Sequence, residues 1–192
     1  MKIFLDTADC EQIQKHFASG LIDGITTNPT LIRKSGRIPE DVYQELKGIG
    51  LTDISMEVVG NCEEMISEGY RLNDLFGDVT TIKVPCTPDG LKACKELSGS
   101  GIKVNVTLIF SQVQAILASK AGATYVSPFV GRVDDNSFGG LCLVKDIAKV
   151  FREHMARTQV LAASFRGARD VGRAFEYGAD IVTMPVGVFE KC

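Results

Sequence analysis

A rhythm constrains this chain more than any single motif. Eight short runs rich in β-branched residues recur along its 192 residues: KIFLD (2–6), DGITT (23–27), DISMEV (53–58), TTIKV (80–84), IKVNVT (102–107), TYVSPF (124–129), QVLAAS (159–164) and DIVTMP (180–185). Between them lie longer amphipathic stretches, among them ADCEQIQKHFAS, PEDVYQELKGIG, CEEMISEGYRLNDLFG, TPDGLKACKELSGSG and LVKDIAKVFREHMA. Many of these open on Thr, Asp, Asn or Pro and close near Gly, as helix caps require. Strand–helix alternation of this kind argues for parallel βαβ units. Eight units with a short repeat predict an α/β chain folded as a (β/α)8 TIM barrel, one domain over residues 1–192. No GxGxxG follows the first run, which removes the main cue for a dinucleotide fold. After the eighth run the chain stops at PVGVFEKC, so the last helix is expected to be short or missing. Such a gap exposes apolar surface, to be covered by a partner or filled by the remainder of a longer sequence.

Composition narrows the function classes. Hydrophobic residues are 45% and the net charge is −3, with both signs mixed along the chain and no basic stripe. A nucleic-acid partner is therefore not expected. The N-terminal residues MKIFLDTADCEQ hold two aspartates and a glutamate where a signal peptide needs an apolar run, and no segment has membrane-spanning length. A cytoplasmic protein without a membrane partner is the expectation. Six cysteines (Cys10, Cys62, Cys86, Cys94, Cys142, Cys192) lack CxxC or His-paired spacing, so free thiols are expected rather than a metal site or a disulfide frame.

Strand parity then sorts the polar residues. Successive side chains alternate faces, and in a barrel one face fills the interior. With Ile82 and Val84 facing the helices, Thr81 and Lys83 point inward. The same count sends Ser55 and Glu57, Asn105 and Thr107, Phe4 and Asp6, and Tyr125, Ser127 and Phe129 inside. In QVLAAS it sends Ala162 and Ser164 inward, provided Leu161 packs on helices. Asp6, Glu57, Lys83, Asn105, Thr107, Ser127 and Ser164 thus meet at the carboxyl ends of the strands, where barrel enzymes build their sites. A structural ion network is the plain alternative, since such networks also bury charges. Each buried ion costs several kcal/mol before it is paired, so a cluster at this end of a barrel favours chemistry.

The histidines, His16 and His154, fall on helical stretches, which leaves an amine as the best nucleophile. A lysine desolvated inside a barrel is expected to have a lowered pKa and to attack a carbonyl. Glu57, one strand away, is placed to pass protons through a water. Asp6 is placed to take a proton from a substrate hydroxyl and so trigger carbon–carbon cleavage, the protonated imine serving as electron sink. No metal or cofactor is needed for chemistry of this class. Arg132 and Arg166 follow inward strands and, with Ser164, form a candidate phosphate clamp. The loop TTNPT (26–30) reads as a turn whose Asn28 offers its amide to the site.

Taken together, FLDTAD, GITTNPT, SMEV, IKVP, VNVTLIF, YVSPFVGR and VLAASFR make the chain resemble the small transaldolases, a family that also includes fructose-6-phosphate aldolases. The resemblance covers nearly the whole chain. It implies a Schiff base on Lys83, Asp6 as the acid/base for cleavage and Glu57 as a water-linked proton shuttle. It further implies Asn28, Asn105, Thr107 and Ser127 around the dihydroxyacetone hydroxyls and the water, and Arg132, Ser164 and Arg166 around a phosphate. Sugar phosphates as substrates, a homo-oligomer (pentamer or decamer) and a place in the pentose phosphate pathway are implied as well. Within the family, Glu57 and Phe129 resemble the transaldolase branch; the aldolases carry Gln and Tyr there. A non-catalytic sugar-phosphate-binding barrel and a purely structural subunit stay as rival readings.

Overall fold

Eight parallel strands pair in sequence order and close on themselves. They are β1 (Lys2–Asp6), β2 (Gly24–Thr26), β3 (Ile54–Glu57), β4 (Thr80–Pro85), β5 (Lys103–Ile109), β6 (Tyr125–Pro128), β7 (Gln159–Ala162) and β8 (Ile181–Met184). A computed structural model describes residues 1–192 of the chain. The helices are α1 (Cys10–Phe17), α2 (Pro29–Ser35), α3 (Pro39–Ile49), α4 (Cys62–Phe76), α5 (Pro88–Gly99), α6 (Gln112–Lys120), α7 (Val130–Asp134), α8 (Gly140–Glu153), α9 (Ala168–Glu176) and α10 (Val186–Phe189). This is the TIM-barrel architecture, and no helix is long and apolar enough to cross a membrane.

Local chemistry starts the helices where the sequence suggests. Asp9, Asn61, Thr87 and Ser111 each accept a backbone N–H from the first turn of α1, α4, α5 and α6. Pro29, Pro39 and Pro88 take first helical positions, where a missing N–H costs nothing. TTNPT differs from its reading as a turn. Asn28 is the N-cap of α2, its Oδ1 accepting from Leu31 N at 3.0 Å, so the segment is a helix start. The eighth helix is short: α10 has four residues. Behind it, Glu190 lies 3.1 Å from Lys15 and 3.2 Å from His16, tying the C-terminus to α1.

Two apolar regions hold the barrel. The outward strand residues pack against the helices in one continuous cluster that includes Leu5, Ile54, Ile82, Val104, Val126 and Val182. Inside, Phe4, Tyr125, Leu161 and Ile181 form a separate plug, with the Phe4 and Tyr125 rings edge-on at 6.4 Å. Leu161 therefore points inward and Ala162 outward, the reverse of the expected parity in β7. The register explains it: Leu161 lies beside Ile181, and a methyl side chain cannot fill the space around Phe4. Beneath the plug, Asp53 accepts from Thr81 Oγ1 (2.8 Å) and Tyr125 Oη (2.6 Å), with Lys103 Nζ 3.6 Å away. This lower network is a structural use of buried charge; burial, followed by the Asp53 charge, pushes the Tyr125 phenol pKa upward.

Gly24 makes room for the plug. A Cβ there would sit 2.6 Å from the Phe4 ring and 2.8 Å from the backbone oxygen of Asp53. Gly24→Ala is expected to destabilise the barrel by about 1–3 kcal/mol through overpacking, read from denaturant midpoints.

Candidate active site

The carboxyl ends of the strands enclose a polar cavity of about 200 Å3, lined among others by Asp6, Thr26, Asn28, Lys83, Asn105, Thr107, Ser127, Phe129, Arg132, Ser164 and Thr183. It opens into an outer recess of about 470 Å3 that Lys83, Glu57, Asn28, Thr107, Phe129 and Arg132 also border. Strand register builds the centre. Glu57 on β3, Lys83 on β4 and Asn105 on β5 are lateral neighbours, so alternation sends all three inward at one level. Lys83 is 6% exposed. Its Nζ donates to the Thr27 carbonyl at 3.0 Å and lies 3.1 Å from Glu57 Oε2. The amine is thus held by one backbone oxygen and one carboxylate, with its remaining donor direction open to the cavity.

Asp6 ends β1 on the opposite wall. Its Oδ1 accepts from Thr26 Oγ1 at 2.7 Å, and Thr26 Oγ1 in turn lies 2.7 Å from Thr183 Oγ1. Burial raises the Asp6 pKa above its ordinary 3.8; the Lys83 charge and the Thr26 hydrogen bond offset only part of this. Thr26 and Thr183 were not among the expected site residues, although the same period of two places both inward. Because the folded state binds the Asp6 proton more tightly than the unfolded chain, Asp6 penalises stability as pH rises. The penalty is absent below about pH 3.8 and complete above the folded value. Asp6→Asn removes it, so the melting temperature of the variant relative to the parent should climb between pH 4 and 7. A difference that stays flat over that range would contradict the burial argument.

Asn105 is fixed from both sides: its Nδ2 donates to Ser55 Oγ at 3.3 Å and its Oδ1 accepts from Ser127 Oγ at 2.8 Å. Thr107 Oγ1 is buried without a partner while lining the cavity, a hydroxyl placed for a ligand oxygen. The backbone leaves regular strand geometry next to it. Leu108 has φ 60, and the pairing of β5 with β6 shifts register between Val106 and Ile109. Ser164 also has positive φ, 66, at the end of β7, and this twist rather than strand parity brings it to the cavity. Both departures from ordinary backbone sit at the rim of the site.

The expected clamp is only partly assembled. Arg132, on α7 rather than in a loop, borders both spaces. Arg166 does not line either one; its guanidinium crosses Gly131 and pairs with Asp135 on the exposed surface. Sequence proximity to an inward strand could not reveal that competing carboxylate. Phe129 lines the cavity and packs edge-on against Phe110 at 5.9 Å. The histidines lie far from this chemistry, His16 on α1 and His154 capping α8. All six cysteines are free, two of them buried, and burial pushes the Cys94 thiol up to about 12.

A buried amine, a neighbouring carboxylate and a second carboxylate with raised proton affinity can together form, hold and break an imine. Known proteins resemble the chain over nearly all of its length. The family described as Transaldolase/Fructose-6-phosphate aldolase matches residues 3–192. A "Probable transaldolase" of Nitrosopumilus maritimus is 51% identical over all of this chain and 86% of its own length. Proteins of the same name from Anaeromyxobacter sp. (strain K) and Lactiplantibacillus plantarum are 51% and 50% identical, each over the whole chain and 88% of the relative.

Proposed function

The chain belongs to the transaldolase/fructose-6-phosphate aldolase family, and from that premise we propose that it is a transaldolase using a Lys83 Schiff base. It would move a dihydroxyacetone unit from sedoheptulose 7-phosphate to glyceraldehyde 3-phosphate, giving erythrose 4-phosphate and fructose 6-phosphate, in the non-oxidative pentose phosphate pathway of the cytoplasm. The observation that carries this reading is the Lys83 amine, inside the barrel, 3.1 Å from Glu57 and sharing one cavity with Asp6.

The ion pair first passes a proton from Lys83 to Glu57, 3.1 Å away, and the amine so freed attacks the ketose C2. Glu57, through a water, protonates the departing C2 oxygen, which leaves as water and creates a protonated imine. Asp6 then takes the proton of the C4 hydroxyl; the C3–C4 bond breaks, its electron pair enters the imine, and an aldehyde departs from the enamine. Burial makes Asp6 a stronger base than an exposed aspartate. An acceptor aldehyde reverses these steps. Asn28, Asn105, Thr107 and Ser127 hold the dihydroxyacetone hydroxyls, and Arg132, Ser164 and Arg166 the phosphate. Arg166 would exchange Asp135 for phosphate, an inexpensive swap because exposed ion pairs contribute only about 0–1 kcal/mol. The exposed apolar side chains Phe110, Val113, Leu117 and Phe138 support a homo-oligomer.

Sodium borohydride reduction in the presence of fructose 6-phosphate, followed by mass mapping, tests the reading: the adduct should sit on the peptide holding Lys83. A protein that binds the sugar without reducible adduct would be the silent barrel instead. The second reading, a fructose-6-phosphate aldolase, is weighed by Phe129, which faces the cavity without a hydroxyl to protonate and release the enamine. With fructose 6-phosphate and no acceptor, little free dihydroxyacetone should accumulate; sustained release would favour the aldolase. Phe129→Tyr should raise that release several-fold, and an unchanged rate would remove Phe129 as the determinant.

A further inference from the structure

A second cavity, of about 260 Å3, lies outside the barrel wall between α2, α3 and α4. Its inner end is Glu57, the same residue that borders the outer recess of the substrate mouth and faces Lys83. Pro29 is the one other residue common to both spaces, so the Glu57 carboxylate stands in the partition between them. Ile32 and Leu72 form apolar walls, and the Tyr43 hydroxyl, 3.3 Å from Thr27 Oγ1, adds a polar group. At the solvent end, Arg71 on α4 reaches Glu40 on α3 at 2.6 Å and Glu68 at 2.7 Å, a strut across the opening. A water in the liquid takes about 30 Å3 and needs two to four polar partners. The space therefore suits a short file of waters running from the Arg71 rim to Glu57.

We propose that this cavity is a port for water and protons, separate from the substrate mouth, through which Glu57 exchanges with bulk solvent while a sugar phosphate fills the barrel. The inference rests on the Schiff-base reading above. Forming the imine makes the Nζ–C2 bond and breaks the C2–O bond; the oxygen leaves as water with a proton from Glu57. Hydrolysis takes one water back and returns the proton to Glu57. Each cycle thus moves one water each way past a mouth that the sugar and its phosphate occupy. Glu57 is the group that handles this water, and it is also the group with a second face away from the sugar.

Oxygen exchange reads the port directly, because every cycle of imine formation and hydrolysis replaces the C2 carbonyl oxygen of the ketose by one from solvent. Fructose 6-phosphate is incubated in H2(18)O without acceptor, the uncatalysed exchange is subtracted, and the adduct trapped by borohydride is quantified in parallel. Leu72→Phe and Ile32→Phe fill the port from opposite walls, and circular dichroism confirms folding. The port serves formation and hydrolysis alike, so the trapped fraction should stay at the parent level while catalysed exchange falls at least about tenfold, a part of the 10²–10⁴ that positioned proton transfer contributes. Exchange at the parent rate in either folded, filled variant overturns the port. Loss of the adduct in both variants also counts against it, since the wall would then shape the site rather than conduct water. Absence of any adduct in the parent protein is a different failure, that of the Schiff-base reading itself.

Discussion

Lys83→Met should abolish transfer, with a fall of roughly 10⁴–10⁶-fold, the scale on which loss of a covalent nucleophile acts. Methionine matches the lysine stem in length and packing, so the substitution removes the amine with little change in volume. Two contacts go with it: the donation to the Thr27 carbonyl and the 3.1 Å approach to Glu57. Stranding one member of a buried ion pair costs about 3–5 kcal/mol when the survivor has no access to water. Glu57 retains such access, being 14% exposed and bordering two cavities, so the barrel should still fold with a smaller loss. Lys83→Met/Glu57→Gln should recover much of that loss without recovering activity. Thermal melts separate the stability effect, and borohydride labelling with fructose 6-phosphate should find no adduct. Residual transfer above about 1% of the parent, or an adduct on another lysine, would refute the role given to Lys83.

Asp6→Asn should separate imine formation from cleavage. An amide cannot accept the C4 hydroxyl proton, so turnover should drop about 10²–10⁴-fold, the usual contribution of general base catalysis. Lys83 and Glu57 are untouched, so the imine still forms. The mass of the trapped peptide tells the two states apart. In the parent, cleavage leaves a three-carbon unit on Lys83; in Asp6→Asn the whole six-carbon sugar phosphate should remain. A three-carbon adduct formed at the parent rate in the variant would hand the cleavage step to another group. Relief of the buried carboxylate should meanwhile make this inactive variant the more stable protein at neutral pH, relative to its difference at pH 4. Losing function while gaining stability is what a site built on a desolvated charge requires.

Much of this is legible in the sequence. The eight runs fall on the eight strands, and KIFLD and TTIKV begin where β1 and β4 begin. Parity placed Asp6, Glu57, Lys83, Asn105, Thr107, Ser127 and Phe129 around one interior, because a pleated strand offers its residues only two directions. The departures from simple parity lie near the strand ends. Ser164 lines the cavity as expected, but through its own left-handed backbone; Leu161 and Ala162 exchange faces under the demand of the plug; and Asn28 borders the cavity as expected while also capping a helix. Arg166 adds a contact of another kind: it pairs with Asp135, thirty-one positions away, and no local pattern announces that pair.

Local periodicity by itself determined that this chain makes β/α units, how many it makes, and which side of β1, β3, β4, β5 and β6 faces inward, since these follow from 3.6-residue and two-residue repeats within a dozen positions; the inward side of β7 was decided by the plug. Only the closed barrel decided how far apart those inward residues stand. Thr183 reaches Thr26 across a closure of β8 on β1, Glu57 meets both Lys83 and a cavity outside the wall, and Asp53 rather than a catalytic group anchors the floor. Distances between residues far apart in the chain are set by the packing of every strand and helix at once, and that packing is a property of the whole assembly rather than of any segment.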